Sequence, residues 1–149
     1  MEQQNYAVKE AMVLPCEVAV KSVIPAIRSA IARELTRSYG LKQKKVAQLL
    51  GVTQTAVSKY TRHYRGAIFE VTDVEGVQPI LTKTVFSLAN DEMDKYELAE
   101  KLCAICGKIR QSGLMCILCG VSDPDIEKSK CIVCSPNGSS TRIYKHKQE

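Results

Sequence analysis

The chain has no tryptophan, only two phenylalanines and only two histidines among 149 residues. Any core must therefore be assembled from Val, Ile, Leu and Ala. No Ser-His-Asp set, paired-carboxylate site or phosphate-binding glycine loop can be picked out. Enzymatic catalysis has little to work with, so neither an enzyme nor a small-molecule substrate is expected. Long apolar runs are missing too: none approaches the ~18 residues a membrane span needs, because Lys and Arg interrupt the Ile/Val/Ala stretches. The N-terminus lacks a basic region followed by an apolar stretch and a small-residue cleavage site. The expectation is a cytoplasmic protein with no membrane partner.

What is present is a soluble composition, 45% hydrophobic and 25% charged, over a length that suits one ordinary domain or two small ones. The net charge of +5 is unevenly spread. Residues 1–66 hold 11 Lys/Arg against 4 Asp/Glu, a balance of +7, and residues 67–149 hold 10 against 12, a balance of −2. A basic half suits a polyanionic partner, since Lys and Arg that neutralise phosphates release counterions. The acidic character peaks between residues 70 and 100, with eight Asp/Glu against two Lys. That segment is not expected to touch nucleic acid.

Residues 1–14 show little periodicity. Ile24, Ile27, Ile31 and Leu35 then recur at steps of three and four, which puts them on one face of a helix over about 25–39. Pro25 suits its first turn and Gly40 its C-terminal stop. Two short helices follow. Val46, Ala47, Leu49 and Leu50 form the apolar side of the first, which Gly51 ends. Thr53 is a good N-cap for the second, which runs through Ala56, Val57 and Tyr60 to about Tyr64. A short strand is expected around Ile68–Val71. Val77, Leu81, Val85 and Leu88 return to helical spacing. Asn90, Asp91 and Glu92 mark the start of another helix that ends at Cys103. The last residues, 136–149, read as a flexible tail.

The stretch LKQKKVAQLLGVTQTAVSKYTRHY, Leu41 to Tyr64, fits a helix-turn-helix. Ala47, Val52 and Val57 are small or branched enough to let two short helices cross closely. Gly51 supplies the positive φ that the tight turn needs. Gln54, Thr55, Ser58 and Lys59 then fall on the outward face of the second helix, where side chains reach base edges in the major groove. Gln pairs bidentately with adenine, Lys reaches guanine acceptors and Thr touches the thymine methyl. Lys42, Lys44, Lys45, Arg62 and Arg65 flank the pair as phosphate contacts that set register. His63 reads as exposed or phosphate-facing among its arginine neighbours.

Residues 41–66 resemble the Cro/XRE-type helix-turn-helix of phage repressors. In that family a glutamine opens each motif helix, and Gln43 and Gln54 match those positions here. The resemblance implies that Gln43 buttresses Gln54 against a phosphate. The wider stretch from Leu14 to Gly66 resembles a group of predicted archaeal transcriptional regulators that join such a motif to a Cys-containing C-terminal part. The third cysteine pair of this chain departs from the simplest members.

Seven cysteines are many for a chain of this size, and no signal points to a disulfide-forming compartment. Six fall in pairs, Cys103/Cys106, Cys116/Cys119 and Cys131/Cys134, within 32 residues and with rhyming flanks. A Cys-x2-Cys pair places two thiolates on one tight turn where both reach a single metal, and the glycines after Cys106 and Cys119 relax that turn. Four thiolates complete a tetrahedral zinc site or an iron–sulfur cluster, and any two pairs suffice. Cys16 is either a buried cysteine at a helix start or a ligand reaching across. The centre either replaces a core the segment cannot build or senses redox or metal state.

The expected fold is mainly α: a helix-turn-helix bundle over 1–66, connecting and dimerising helices over 67–102, and a small Cys-rich metal-binding module over 103–135. The expected function is sequence-specific binding of double-stranded DNA by a homodimeric transcriptional regulator, contacted through Gln43, Lys44, Thr53, Gln54, Thr55, Ser58, Lys59 and Arg62. One alternative is an RNA- or polymerase-associated zinc-ribbon factor, which the lack of Phe, Tyr and Trp over 103–134 disfavours. Another is a thiol redox protein, whose chemistry wants one pair at a helix start in a βαβ setting.

Overall fold

A computed structural model describes residues 13–62 and 69–134. These residues are mainly helical, and no strand occurs among them. The leader before residue 13, His63, Arg65, Gly66, Ile68 and the tail from residue 135 lie outside the described residues; of the strand expected around Ile68–Val71, residues 69–71 are described and form no strand. The chain there leads into a 3-10 turn over Val71–Asp73 instead.

The chain enters as helix α1, Pro15–Val18, with Pro15 in the first turn, where its missing N–H costs nothing. Helical backbone thus begins about ten residues before the expected start. It passes through a π-helical turn, Ala19–Val23, into α2, Ile24–Arg37. Pro25 accounts for the π turn. A proline cannot donate to the carbonyl four residues back, and its ring crowds that carbonyl. The widened turn moves the carbonyl away and lets Ile24 N–H bond to Ala19 O instead. Gly40, at φ +64, carries the chain away from the end of α2.

Helix α2 is the hub. Val23, Ile27, Ile31 and Leu35 are fully buried, and Ile24, the remaining member of the expected stripe, is half-buried. Around α2 pack α3, Gln43–Leu50; α4, Gln54–Thr61; α5, Val77–Ala89; and α6, Lys95–Gln111. Helix α7, Leu114–Ser122, folds back at 82° to α6 and meets α1. Most of the buried side chains form one cluster that runs from Val18 to Cys134. None of the helices among the described residues is by itself long and apolar enough to cross a membrane.

Helix α5 has the bounds its apolar spacing predicts, with Val77, Leu81, Val85 and Leu88 buried. The next helix starts later than expected, at Lys95 rather than near Asp91. The reason is a reciprocal cap that the acid-rich stretch concealed. Asp94 Oδ1 accepts from the N–H groups of Tyr96 and Glu97 at 2.8 and 2.9 Å, and Glu97 Oε2 accepts from Asp94 N–H at 2.9 Å. Asn90 and Asp91 end α5 instead. Asp91 sits at φ +54, and the pairs Asp91 N–H to Leu88 O and Glu92 N–H to Ser87 O close a Schellman turn. Asp94→Ala is expected to lower stability by about 0.5–2 kcal/mol, read as a shift of the urea midpoint. Asp91→Asn should leave the midpoint nearly unchanged. The reverse ranking would move the helix start back to where the sequence suggested it.

Candidate functional site

The two motif helices meet as the sequence predicts. Gly51, at φ +63, follows α3 and forms a Schellman turn: Val52 N–H bonds to Ala47 O at 3.0 Å and Gly51 N–H to Gln48 O at 3.3 Å. Thr53 then caps α4 by accepting from Ala56 N–H at 3.1 Å. Val57 is fully buried beneath α4, Ala47 is buried on α3, and Val52 packs against the core from the turn. Ser29 Oγ on α2 donates to Tyr60 O at 2.9 Å, which ties the far end of α4 to the hub.

With Val57 pinned inward, Gln54, Thr55 and Lys59 are exposed on α4, Ser58 is half-buried among them, and Arg62 follows the last turn in extended backbone. Within the described residues α4 ends at Thr61, short of Tyr64. Gln43 and Gln54 occupy the first positions of α3 and α4, and no hydrogen bond joins them among the described residues. Lys42 and Lys44 are exposed at the start of α3, and so is Gln48, which the sequence reading did not single out. Lys45 is engaged elsewhere: its Nζ stands 2.8 Å from Asp91 Oδ1 in the turn that ends α5. Both groups are well exposed, so this pair contributes little, about 0–1 kcal/mol. It does hold an acidic carboxylate against the side of the motif.

The cysteines are arranged differently from the knuckles the sequence suggested. Cys103 and Cys106 lie within α6, and Cys116 and Cys119 within α7. The glycines behind them, Gly107 and Gly120, are helical residues, and the nine residues between the pairs form the end of one helix and the start of the next. A helix brings positions three apart to one face, so each pair still presents both thiols on one side. Helix continuity prevails over the turn because the apolar face of both segments, Ile105, Ile109, Met115 and Leu118, is buried. Only Cys131/Cys134 lies outside a helix.

One hollow gathers the chemistry. It is lined by Cys116, Cys119, Cys131 and Cys134, with Pro15, Ile126 and Lys128 completing the wall. Burial, and then the neighbouring Cys134, Cys116 and Cys131, push the Cys119 thiol up to about 11. Burial also raises Cys106, against the pull of Arg110, with Cys103, Cys16 and Cys134 adding to the rise. Arg110 Nε donates to Cys134 Sγ at 3.4 Å, a bond that favours the arginine's charged form. Cys16 stands at the start of α1 as expected, but exposed rather than buried.

Pro15, Arg110 and Lys128 were not singled out from the sequence. Arg110 was within reach of it, being one helical turn from Cys106. Lys128 carried no local signal. Among the described residues, no group of three or more His, Cys, Asp or Glu side chains stands close enough together to hold a metal ion. By chemical type alone, the four cysteine sulfurs that line the hollow are donors of the kind a thiophilic metal takes, with Lys128 in the same wall and Arg110 donating to Cys134. Compared with protein-family models, curated proteins and solved structures, the chain matches none.

Proposed function

We propose that this chain is a sequence-specific DNA-binding transcriptional regulator whose cysteine-rich segment holds a zinc ion or an iron–sulfur cluster. The observation that carries the reading is the outer face of α4. Gln54, Thr55, Ser58 and Lys59 form a polar row on a helix anchored from behind by Val57 and set by the left-handed turn at Gly51. A helix presented this way enters the major groove with its N-terminal side chains toward base edges. Lys44 and Arg62 flank the row and, in this reading, contact phosphate, with Lys42 beside them. The +7 balance of residues 1–66 supplies long-range attraction, while the acids of residues 70–100 keep that part off the duplex.

One such motif reads only a few base pairs, so a homodimer on a two-fold operator completes the specificity. Helices α5 and α6 are the proposed interface; Phe86 and Tyr96 are the large side chains they leave exposed. The XRE-type resemblance of residues 41–66 points the same way. Cytoplasmic action on double-stranded DNA follows from the reading.

Selection of binding sites from random duplexes, followed by titration of the selected and scrambled sequences, tests it. Gln54→Ala should cost about 1–3 kcal/mol of discrimination between the two. Lys44→Ala should weaken both alike and flatten the salt dependence by about one unit of slope. Equal loss of discrimination in both variants would remove the assigned roles. Failure to select any sequence would remove the proposed function.

A further inference from the structure

We propose that the centre is held by four cysteines, Cys116, Cys119, Cys131 and Cys134, and that Cys16, Cys103 and Cys106 stand outside its ligand set. This rests on the reading above that the cysteine-rich segment binds a metal ion or cluster. From spacing alone any two of the three pairs serve equally. The tertiary structure makes them unequal.

The first distinction is position. The pairs of α7 and of the following segment line one hollow together, whereas neither member of the α6 pair does. The second is burial. Cys116, Cys119 and Cys134 are buried and Cys131 is half-buried, against an exposed Cys16, an exposed Cys103 and a half-buried Cys106. Burial disfavours the charged form of a thiol, whereas a metal ion replaces the lost hydration of a thiolate with metal–sulfur bonds, so a sheltered set of sulfurs suits ligation. Pro15 and Ile126 close the wall with apolar surface, which limits water at the sulfurs.

The third distinction is charge. Four thiolates around a dication, whether Zn²⁺ or an oxidised four-iron cluster, sum to a net charge of about −2. Two cations stand against this hollow. Arg110 Nε–H already points at Cys134 Sγ, the kind of outer donor that steadies a ligating sulfur. Lys128 lines the hollow and lies across α7 at Gly120. A Cβ added there would come within 2.8 Å of Lys128 Cε and 3.2 Å of its Nζ, so the glycine leaves room for the lysine. As they stand the four do not form a metal-holding group, so closing the ligand set requires the thiols to change rotamer and the non-helical segment 131–134 to move toward α7.

The test uses the full chain, reconstituted anaerobically either with Zn²⁺ or with Fe²⁺ and sulfide, with metal counted by elemental analysis. Cys116→Ser, Cys119→Ser, Cys131→Ser and Cys134→Ser should each reduce bound metal at least tenfold. Cys16→Ser, Cys103→Ser and Cys106→Ser should keep one centre per chain. Because a ligand variant can lose metal by unfolding, cysteine alkylation of the unmutated holo-protein, read site by site by mass spectrometry, gives an independent measurement. Cys116, Cys119, Cys131 and Cys134 should be protected, and Cys16 and Cys103 modified. Zinc or iron with sulfide on these four supports the assignment equally. Metal lost in Cys103→Ser and Cys106→Ser but retained in Cys131→Ser and Cys134→Ser overturns the assignment while leaving a metal-binding segment. Failure of the unmutated chain to take up either centre overturns the underlying reading as well.

Discussion

Leu35→Ala will lower the stability of the chain by about 2–5 kcal/mol, in one cooperative step that takes the motif helices and the cysteine-bearing helices together. Leu35 is fully buried on α2, which packs against α3, α4, α5 and α6. Truncating it removes apolar burial and leaves a cavity that its neighbours fill only in part, because interiors are close-packed. Nearly all the buried apolar residues from Val18 to Cys134 belong to one cluster, so the loss is shared by both halves. Urea unfolding should be followed by helix signal and, separately, by alkylation of Cys116 and Cys119. Coincident transitions, both shifted, are expected. An unshifted midpoint, or a shift in only one of the two signals, would mean that α2 does not join the halves.

Val57→Asp should have an effect of similar size, about 3–5 kcal/mol, with a sharper functional consequence. Val57 is fully buried and is the apolar anchor that turns the polar row of α4 outward. A carboxylate there is either buried without a partner or drags α4 away from α2, breaking the Ser29–Tyr60 hydrogen bond. In the proposed function, either outcome removes the presentation of the polar row and with it selective DNA binding, and the whole chain unfolds at a lower midpoint. Lys59→Ala provides the contrast. Lys59 is exposed on the same helix, so its loss should leave the denaturation midpoint within about 0.5 kcal/mol and, in the proposed function, lower DNA affinity. A Val57→Asp protein that unfolds at the unmutated midpoint would show that α4 is not packed on α2.

The motif was the most legible part of the chain. Gly51, Thr53 and Val57 each act within one or two turns: a left-handed turn, a cap and a buried anchor. Local chemistry alone therefore placed them where the structure has them. Helix α5 was equally plain, its apolar spacing unbroken from Val77 to Leu88. The start of α6 was misread because Asp91, Glu92 and Asp94 are all acceptable in a first turn. Only the pairing of Asp94 with Glu97 three residues later distinguishes the true cap. The π turn before Pro25 was hidden for a related reason: proline at a helix start and proline after a widened turn look alike in sequence.

By itself the sequence determined the helical class, the two crossing helices of the motif and the outward polar row on α4, since each depends on neighbours three or four positions away. It also determined that six thiols come in pairs, because Cys-x2-Cys presents both sulfurs on one side in a turn or a helix alike. Which pairs meet was decided only by the tertiary structure. The 82° bend between α6 and α7 and the packing of α1 against α7 put Pro15 beside Cys116, Cys119, Cys131 and Cys134, and leave Cys103 exposed. The same packing set Lys45 against Asp91, forty-six residues away. Contacts over such separations depend on how whole helix faces bury one another, and no local pattern encodes that.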